Sequence, residues 1–277
     1  MKRRQPLLSL HLALALLAFL NMAPLLWLIC AAFKQPHDTF TYIFLPWRHL
    51  DRLTLANFSE LLARQPFMNW LVNSLFLASV YTVTVVLLSS LCGFALAKYR
   101  FRGRGPLMAL MLVVMLLPSQ VLLGSLYELM GKLGWLDSYL AIIVPGAVSI
   151  FGAFLFRQAM LNVPDELLHS ARLDGCGELR LWWEIALPLV RPTTGAFTLM
   201  SFLASWSGFL WPQIVLQSES KYTIPLGLNN LVGQQEYQGQ YGLLAAGTLM
   251  GLIPVVILFF AVQKDFLAGL ASGAVKE

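Results

Sequence analysis

Charge is scarce in this sequence. Only 12% of its 277 residues are Asp, Glu, Lys or Arg, whereas 58% are hydrophobic, and the mean hydropathy is +0.69. Because a soluble globular domain carries about 25% charged residues, this composition excludes that class and indicates a protein of the lipid bilayer. In such a protein the net charge of +5 is interpreted through the placement of the basic residues, and it does not predict a nucleic-acid partner.

Patterns for catalysis and metal binding are also missing. The sequence has no HExxH, GxSxG or GxxxxGK[ST] pattern, so a zinc protease, a serine hydrolase and a P-loop ATPase are not predicted. The four histidines show no metal-ligand spacing. The three cysteines, Cys30, Cys92 and Cys176, fall in predicted spans or in a predicted cytoplasmic loop, which indicates no exported disulfide framework. We expect no enzyme activity, metal or cofactor in this chain.

Long hydrophobic runs predict an all-α, polytopic membrane protein. About 20 apolar residues cross the hydrocarbon core as a helix, and six such runs predict spans at residues 7–33, 69–97, 106–129, 138–156, 193–216 and 241–262. The first run is too long for a signal peptide and is interpreted as an uncleaved span. We expect one transmembrane domain over residues 1–277.

The basic residues predict the orientation of these spans. With both termini in the cytoplasm, most of the 19 Lys and Arg residues lie inside, including the KYRFRGR cluster at residues 98–104, as the positive-inside rule requires. The spans contain amides and hydroxyls but no acid or base near a midplane. This disfavours an ion-coupled secondary transporter, which usually keeps a coupling charge there. Such a transporter or a channel remains the alternative function, since it also needs only a helical bundle.

A polar segment at residues 164–188, within a predicted cytoplasmic loop at 157–192, predicts two amphipathic helices. Pro164 suits the first turn of a helix, and Leu167, Leu168 and Ala171 then share one face. Gly175 is placed to end this helix in a left-handed conformation. A second helix follows at 178–185, carries Trp182 and Trp183, and stops at Pro188. Too polar to span a membrane, this pair is suited to docking against another protein.

The spacing within this segment resembles the Glu-Ala-Ala loop of permease subunits of bacterial ABC importers. The matching positions are His169, Ser170, Ala171, Gly175, Ile185, Leu187 and Pro188. His169 and Ser170 depart from the family's Glu and Ala. Further resemblance to the maltose- and glycerol-phosphate-type permeases lies in Asn73-Ser74-Leu75, in the FRGR turn at 101–104, in Trp211-Pro212, in the IPLGL run at 224–228, and in the ending at 269–276.

This resemblance implies a bacterial inner-membrane sugar importer that works by alternating access. It implies a second, different permease subunit, two ATP-binding subunits that hold ATP and Mg²⁺, and an extracytoplasmic solute-binding protein. It also implies ATPase-coupling residues, which are Glu166, Leu167, Leu168, His169, Ser170, Ala171, Asp174, Gly175, Ile185 and Pro188. We expect Leu167, Leu168 and Ala171 to form the docking face, and both tryptophans to anchor the second helix. In the tail at 263–277, the expected ATPase contacts are Gly273, Ala274, Val275 and Lys276.

Two further groups of residues are candidates for contact with the solute or its carrier. Polar and aromatic side chains within the spans are candidates for the substrate pathway, or alternatively for bonds between helices: Asn73, Gln120, Trp206 and Trp211. The polar loop tip before the last span is a candidate site for the solute-binding protein, or alternatively a solvated tip: Gln234, Gln235, Tyr237 and Gln238.

Overall fold

A computed structural model describes residues 5–47, 49–234 and 239–274, and within these ranges the chain is all-α. The only β pairing there is an isolated bridge between Lys34 and Leu53. The helices, in chain order, are α1 Gln5–Ala32, α2 Ala56–Arg64, α3 Phe67–Lys98, α4 Arg104–Met115, α5 Leu123–Lys132, α6 Leu140–Ile143, α7 Ile150–Met160, α8 Asp165–Leu173, α9 Glu178–Arg180, α10 Leu187–Leu189, α11 Arg191–Trp206, α12 Leu210–Val215, α13 Ile224–Gly233 and α14 Tyr241–Ala274.

Three helices in the described part of the chain are long and apolar enough to cross a membrane. They cover Leu10–Ala32, Phe67–Lys98 and Tyr241–Gln263, and they confirm the first, second and sixth predicted spans as single helices. The last helix continues to Ala274, so the tail predicted to follow residue 262 is helical as far as the structure describes it.

The other three predicted spans are each interrupted by a break in the helix, so the structure does not confirm them as single membrane-crossing helices. In the third, α4 and α5 meet at an angle of 91° around Pro118. The fourth is broken after α6, near Pro145, and α7 restarts where the Ser149 hydroxyl accepts a hydrogen bond from the Gly152 N–H. The fifth is broken between Trp206 and Leu210. A proline removes a backbone N–H and blocks the helix, a constraint that hydropathy does not measure.

The first compact unit comprises Met1–Asn69 and Gly227–Ile253. Its loop after α1 is folded and includes α2. The Asn57 amide donates to the carbonyls of Ala32 and Lys34, each at 2.8 Å, which satisfies acceptors left open at the end of α1. Small residues at 31–32 and 245–246 form its apolar cluster.

The second compact unit comprises Trp70–Leu226 and Pro254–Glu277 and has its own apolar core. One cluster joins α3, α7 and α11 to the polar segment at 164–188, through Phe94, Phe156, Phe197, Leu168 and Leu181. The polar segment is therefore packed on the helical core and does not hang from it as a free loop.

Candidate functional site

The polar segment forms two helices about a glycine. α8 begins at Asp165, one residue after the predicted Pro164, and ends in a left-handed Gly175 with φ +83°. The Gly175 N–H donates to the Arg172 carbonyl at 3.0 Å, and the Cys176 N–H donates to the Ala171 carbonyl at 2.9 Å. These two bonds are the Schellman pattern, and the predicted role of Gly175 in the turn is confirmed. We call residues 163–190 the coupling segment.

The second helix of the coupling segment is longer than predicted. It passes from α9 through a π-helical stretch, Leu181–Ala186, into α10, which contains Pro188 and ends at Leu189. The prediction that Pro188 stops the helix is wrong. The π-helical stretch ends at Ala186, so Pro188 lies in the first turn of α10. A proline is tolerated there because the first turn of a helix needs no hydrogen bond from its N–H.

The two tryptophans have different environments. Trp182 is half-buried against the apolar core, whereas Trp183 is 54% exposed. The prediction that both anchor the helix is therefore wrong for Trp183, which is held by ring contact with Trp182 at a centroid distance of 5.6 Å. Adjacent residues on a helix point about 100° apart, so both rings cannot enter one core.

The predicted coupling residues separate into a supporting face and an exposed face. Leu168 is 1% exposed and packs in the chain's own core, with Ala171 and Ile185 half-buried beside it. The expectation that Leu168 is available to a partner is thus wrong. The remaining predicted coupling residues lie on the exposed side: Glu166, Leu167, His169, Ser170, Asp174, Gly175 and Pro188.

Two leucines on this surface were missed by sequence reasoning. Leu173 is 89% exposed and Leu179 is 68% exposed, and together with Leu167 at 47% they place three large apolar side chains on a polar segment. Composition did not single them out because leucine is common throughout the chain. Their positions beside the Gly175 turn were the only available signal.

A group of polar contacts, which we call the loop clamp, ties the coupling segment to the end of α3. Lys98, whose side chain is 5% exposed, donates to the Val163 carbonyl at 2.5 Å and to Asp165 Oδ1 at 2.6 Å. The Tyr99 hydroxyl donates to Glu178. Arg172 donates to both Glu178 oxygens, at 2.8 and 3.1 Å.

Charge pairing controls the titration of the loop clamp. The hydrogen bond from Lys98 lowers the pKa of Asp165. The hydrogen bonds from Arg172 and then Tyr99 lower the pKa of Glu178. Both carboxyl groups therefore stay ionised under ordinary conditions, and the contacts persist as charged pairs.

A second polar group, which we call the Asp137 clasp, lies outside the predicted sites. Asp137 accepts from the Gln217 and Ser218 N–H groups at 2.9 Å each, and from the Ser218 hydroxyl at 2.5 Å. Lys221 Nζ lies 2.8 Å from its Oδ2. The hydrogen bonds from Lys221 and Ser218 hold the pKa of Asp137 well below its usual range. Sequence offers no signal for these contacts because the partners are about 80 positions apart.

The predicted pathway residues are not gathered at one place. Asn73 donates to the main-chain carbonyls of Ser220 and Tyr222 at 2.8 and 3.0 Å, which agrees with the alternative of bonding between elements. Gln120 lies exposed in the turn at the third-span break. Trp206 is 8% exposed and stacks on Phe202. Trp211 donates to the Ala141 carbonyl at 2.9 Å and lines a cavity.

The remaining predicted contacts fall at the limits of the described residues. Gln234 lies just after α13, whereas Gln235, Tyr237 and Gln238 lie outside the described residues. Gly273 and Ala274 belong to the last turn of α14, and Val275 and Lys276 lie outside the described residues.

Apolar helices long enough for a bilayer define a membrane protein, and its polar two-helix segment packs on α3, α7 and α11. The family of binding-protein-dependent transport system inner membrane components matches residues 85–264, and the chain belongs to it. It is a multi-pass transport component and not an enzyme. The prediction of a carbohydrate ABC importer permease is confirmed, and the ion-coupled alternative is not favoured.

Two curated relatives match the whole chain, and a third matches about three quarters of it. It is 39% identical to the arabinooligosaccharides transport system permease protein AraQ of Halalkalibacterium halodurans, over 100% of both chains. It is 32% identical to the lactose transport system permease protein LacG of Rhizobium radiobacter, over 100% of this chain and 98% of the relative. It is also 32% identical to the sn-glycerol-3-phosphate transport system permease protein UgpE of Yersinia pestis, over 74% of this chain and 73% of the relative.

A solved structure shares the fold. It is a crystal structure of a bacterial ABC transporter involved in the import of the acidic polysaccharide alginate, with a TM-score of 0.84 at 21% identity, covering 96% of this chain and 99% of that one. A second structure, of the alginate transporter with an alginate pentasaccharide-bound periplasmic protein, has a TM-score of 0.66 at 13% identity, covering 94% of this chain and 93% of that one.

Proposed function

We propose that this chain is one of two different transmembrane subunits of an ATP-driven importer for an oligosaccharide, and that the coupling segment receives the movement of ATP-binding subunits. The observation that carries the proposal is the two-sided packing of this segment. Leu168 and Leu181 are fixed in the core, while Leu167, Leu173 and Leu179 are left exposed. An exposed apolar patch on a segment rimmed by polar residues is typical of a protein interface.

The partners follow from the family and from what this chain lacks. Since it has no phosphate-binding loop, two separate subunits supply ATP, Mg²⁺ and hydrolysis. An extracytoplasmic solute-binding protein delivers the sugar, and the loop tip at Gln234, Gln235, Tyr237 and Gln238 contacts it. The end of α14 and the residues after it, from Gly273 to Lys276, contact the ATP-binding subunits. The relatives named for arabinooligosaccharides and lactose support the choice of an oligosaccharide.

The topology we propose has six crossings and both termini in the cytoplasm. Three crossings are the long helices, and three are the interrupted segments α4–α5, α6–α7 and α11–α12. A broken helix is tolerated at membrane depth where protein or a water-filled cavity surrounds the break. The placement of residues 98–104 and of the coupling segment on one side agrees with the positive-inside rule.

The mechanism is alternating access. Closure of the ATP-binding pair shifts the coupling segment, and the loop clamp together with the shared core transmits this shift to α3, α7 and α11. Because a well-packed core resists deformation, these helices move with the segment. The coupling free energy is limited by the difference in contacts between the two states.

The proposal is tested by purification and transport. The tagged chain, extracted from its native membrane, is expected to co-purify a second permease and an ATPase, and the reconstituted complex should take up sugar only with ATP and its binding protein. Isolation of a homo-oligomer that takes up solute under an ion gradient without ATP would overturn the proposal.

A further inference from the structure

A cavity lies where the interrupted fourth and fifth spans approach each other, within the second compact unit. Its volume is about 300 Å³, at the lower end of the roughly 300–1,000 Å³ typical of small-molecule sites. Its walls come from α3, α5 and the two breaks, and they include Tyr81, Pro145, Gly146, Ser205 and Trp211.

The polar groups of the cavity are arranged for a ligand. Ser205 Oγ is buried and makes no hydrogen bond within the described part of the chain, an unfavourable state that a ligand hydroxyl would relieve. Trp211 has its N–H committed to the Ala141 carbonyl at 2.9 Å, which fixes the indole on the wall.

Gly146 permits the position of the tyrosine ring. A Cβ at this residue would lie 2.4 Å from Tyr81 Cε2 and 3.0 Å from the Tyr81 hydroxyl oxygen. No larger residue fits there unless the ring moves, so the break near Pro145 and the tyrosine on α3 are matched to each other.

The lining also defines the charge of the ligand. Two aromatic side chains and a serine hydroxyl are present, and none of the described lining residues is charged. Aromatic faces accept the C–H faces of sugar rings, and hydroxyl groups exchange hydrogen bonds with sugar hydroxyls. A phosphate or carboxylate would lose its hydration without gaining a counter-charge, which is costly.

We propose that this cavity is a subsite for one uncharged sugar ring of the transported solute, with Ser205 and Tyr81 as hydrogen-bonding groups and Trp211 as a ring platform. The proposal rests on the proposed function and narrows the class of transported solute to neutral saccharides. Binding at breaks in membrane helices is physically favourable, because interrupted backbone groups are available there to a polar ligand.

The direct test is protection from a thiol reagent. Cys30, Cys92 and Cys176 are replaced by serine, and Ser205→Cys is introduced into the complete complex with its partner permease, ATPases and binding protein. Ser207→Cys is the matched control, because Ser207 lies at the same break but is exposed and bonds to the Leu203 carbonyl at 2.6 Å. The probes are arabinotriose, lactose, maltotriose and sn-glycerol 3-phosphate, with a small methanethiosulfonate as the reagent.

A sugar that the unmodified complex takes up should slow labelling of the Ser205→Cys variant about 3-fold or more, and leave labelling of the Ser207→Cys variant unchanged. Equal labelling of the Ser205→Cys variant with and without that sugar overturns the subsite alone. Protection by sn-glycerol 3-phosphate overturns its assignment to neutral rings. Failure of the unmodified complex to take up any of the three sugars overturns the proposed function and the subsite together.

Kinetics provide the second readout. Ser205→Ala and Tyr81→Phe, each of which removes one hydroxyl group, should each raise the KM for the transported sugar roughly 2- to 10-fold, the usual range for one lost hydrogen bond. Uptake by the Ser207→Ala variant should not change. An unchanged KM in both variants would contradict the proposal.

Discussion

The two ends of α3 are held by different kinds of polar contact. At its beginning, Asn73 and Ser74 bond the main chain of residues 220–224, next to the Asp137 clasp. At its end, Lys98 and Tyr99 bond the coupling segment mainly through side chains. The 25 residues between positions 73 and 98 span about 37 Å at 1.5 Å per residue.

The difference has a functional meaning. The bonds from Asn73 and Ser74 hold main-chain atoms of residues 220–224 and do not depend on the side chains of those residues. The beginning of α3 is therefore suited to a static attachment. Charged side-chain pairs at the second end can separate and re-form as partners move, because each group is also stable in water. α3 therefore has a fixed end and an end that responds to the coupling segment.

The largest effect is expected from backbone strain at the turn of the coupling segment. Gly175→Val forces a β-branched residue to φ +83°, whereas Gly177→Val is a matched control at φ −73°, and a Cβ meets no atom within 4 Å at either site. The strain of about 1–3 kcal/mol should reduce ATP-driven uptake by the Gly175 variant at least fivefold. Uptake by reconstituted complexes measures this, and equal loss in both variants would refute the special role of the turn.

A somewhat smaller effect is expected from Lys98→Met. The variant leaves the buried Val163 carbonyl without its donor, at a cost of about 2 kcal/mol, and separates Asp165 from its ion-pair partner. The number of ATP molecules hydrolysed per sugar should rise, because the coupling segment loosens from α3. Lys132→Met is the control, since Lys132 pairs with Glu128 on the surface of α5 with 71% of its side chain exposed. An unchanged ratio in the Lys98 variant would show that the core alone transmits the movement.

The Asp137 clasp should affect stability more than coupling. Asp137→Asn removes the charge that binds Lys221 and should lower the thermal unfolding temperature, with a free-energy loss of about 1–2 kcal/mol and an unchanged ATP-to-sugar ratio. The folded-state pKa of Asp137 lies below its usual 3.8, so its stabilising contribution is complete above that pH and is lost as the pH falls. The difference in unfolding free energy between the Asp137→Asn variant and the wild type should therefore become smaller below roughly pH 4. A changed ATP-to-sugar ratio would contradict the static role of this end.

The smallest effect is expected from Glu178→Gln, because Glu178 is 51% exposed and Arg172 is 30% exposed. An exposed pair contributes up to about 1 kcal/mol, so the ATP-to-sugar ratio should change by less than about fivefold. Glu184→Gln, which breaks the pair with Arg180 inside one helix, should change nothing. Equal effects of the two variants would show that Glu178 does not contribute to coupling through the loop clamp.

Local patterns predicted the coupling segment well. The helical spacing before Gly175 and the need for a left-handed residue are both written in nearby residues, so α8 and its end were found. The burial of Leu168 and the exposure of Leu167 were not separated, because both occur on one broad apolar face and only the packing of α3 and α7 decides between them.

Non-local structure was not predictable in the same way. Pro118 and Pro145 lie at the breaks of the third and fourth spans, where a proline favours a bend, but the break at 207–209 contains no proline. The contact between Asp137 and Lys221 joins residues 84 positions apart, and no local pattern encodes it. The cavity lies at the break near Pro145 and the break at 207–209. Only the folded structure places Tyr81 next to Gly146.

Site-specific photo-crosslinking from Leu173 in native membranes tests the central claim most directly. Leu173 is the most exposed leucine of the coupling segment, and Leu133, which is 47% exposed at the end of α5, is the control position. We predict that a photoreactive residue at 173 forms an adduct with an ATP-binding subunit, in a yield that changes with ATP, and that position 133 forms none. An adduct of position 173 with the solute-binding protein, or an ATPase adduct at position 133 alone, would contradict the account.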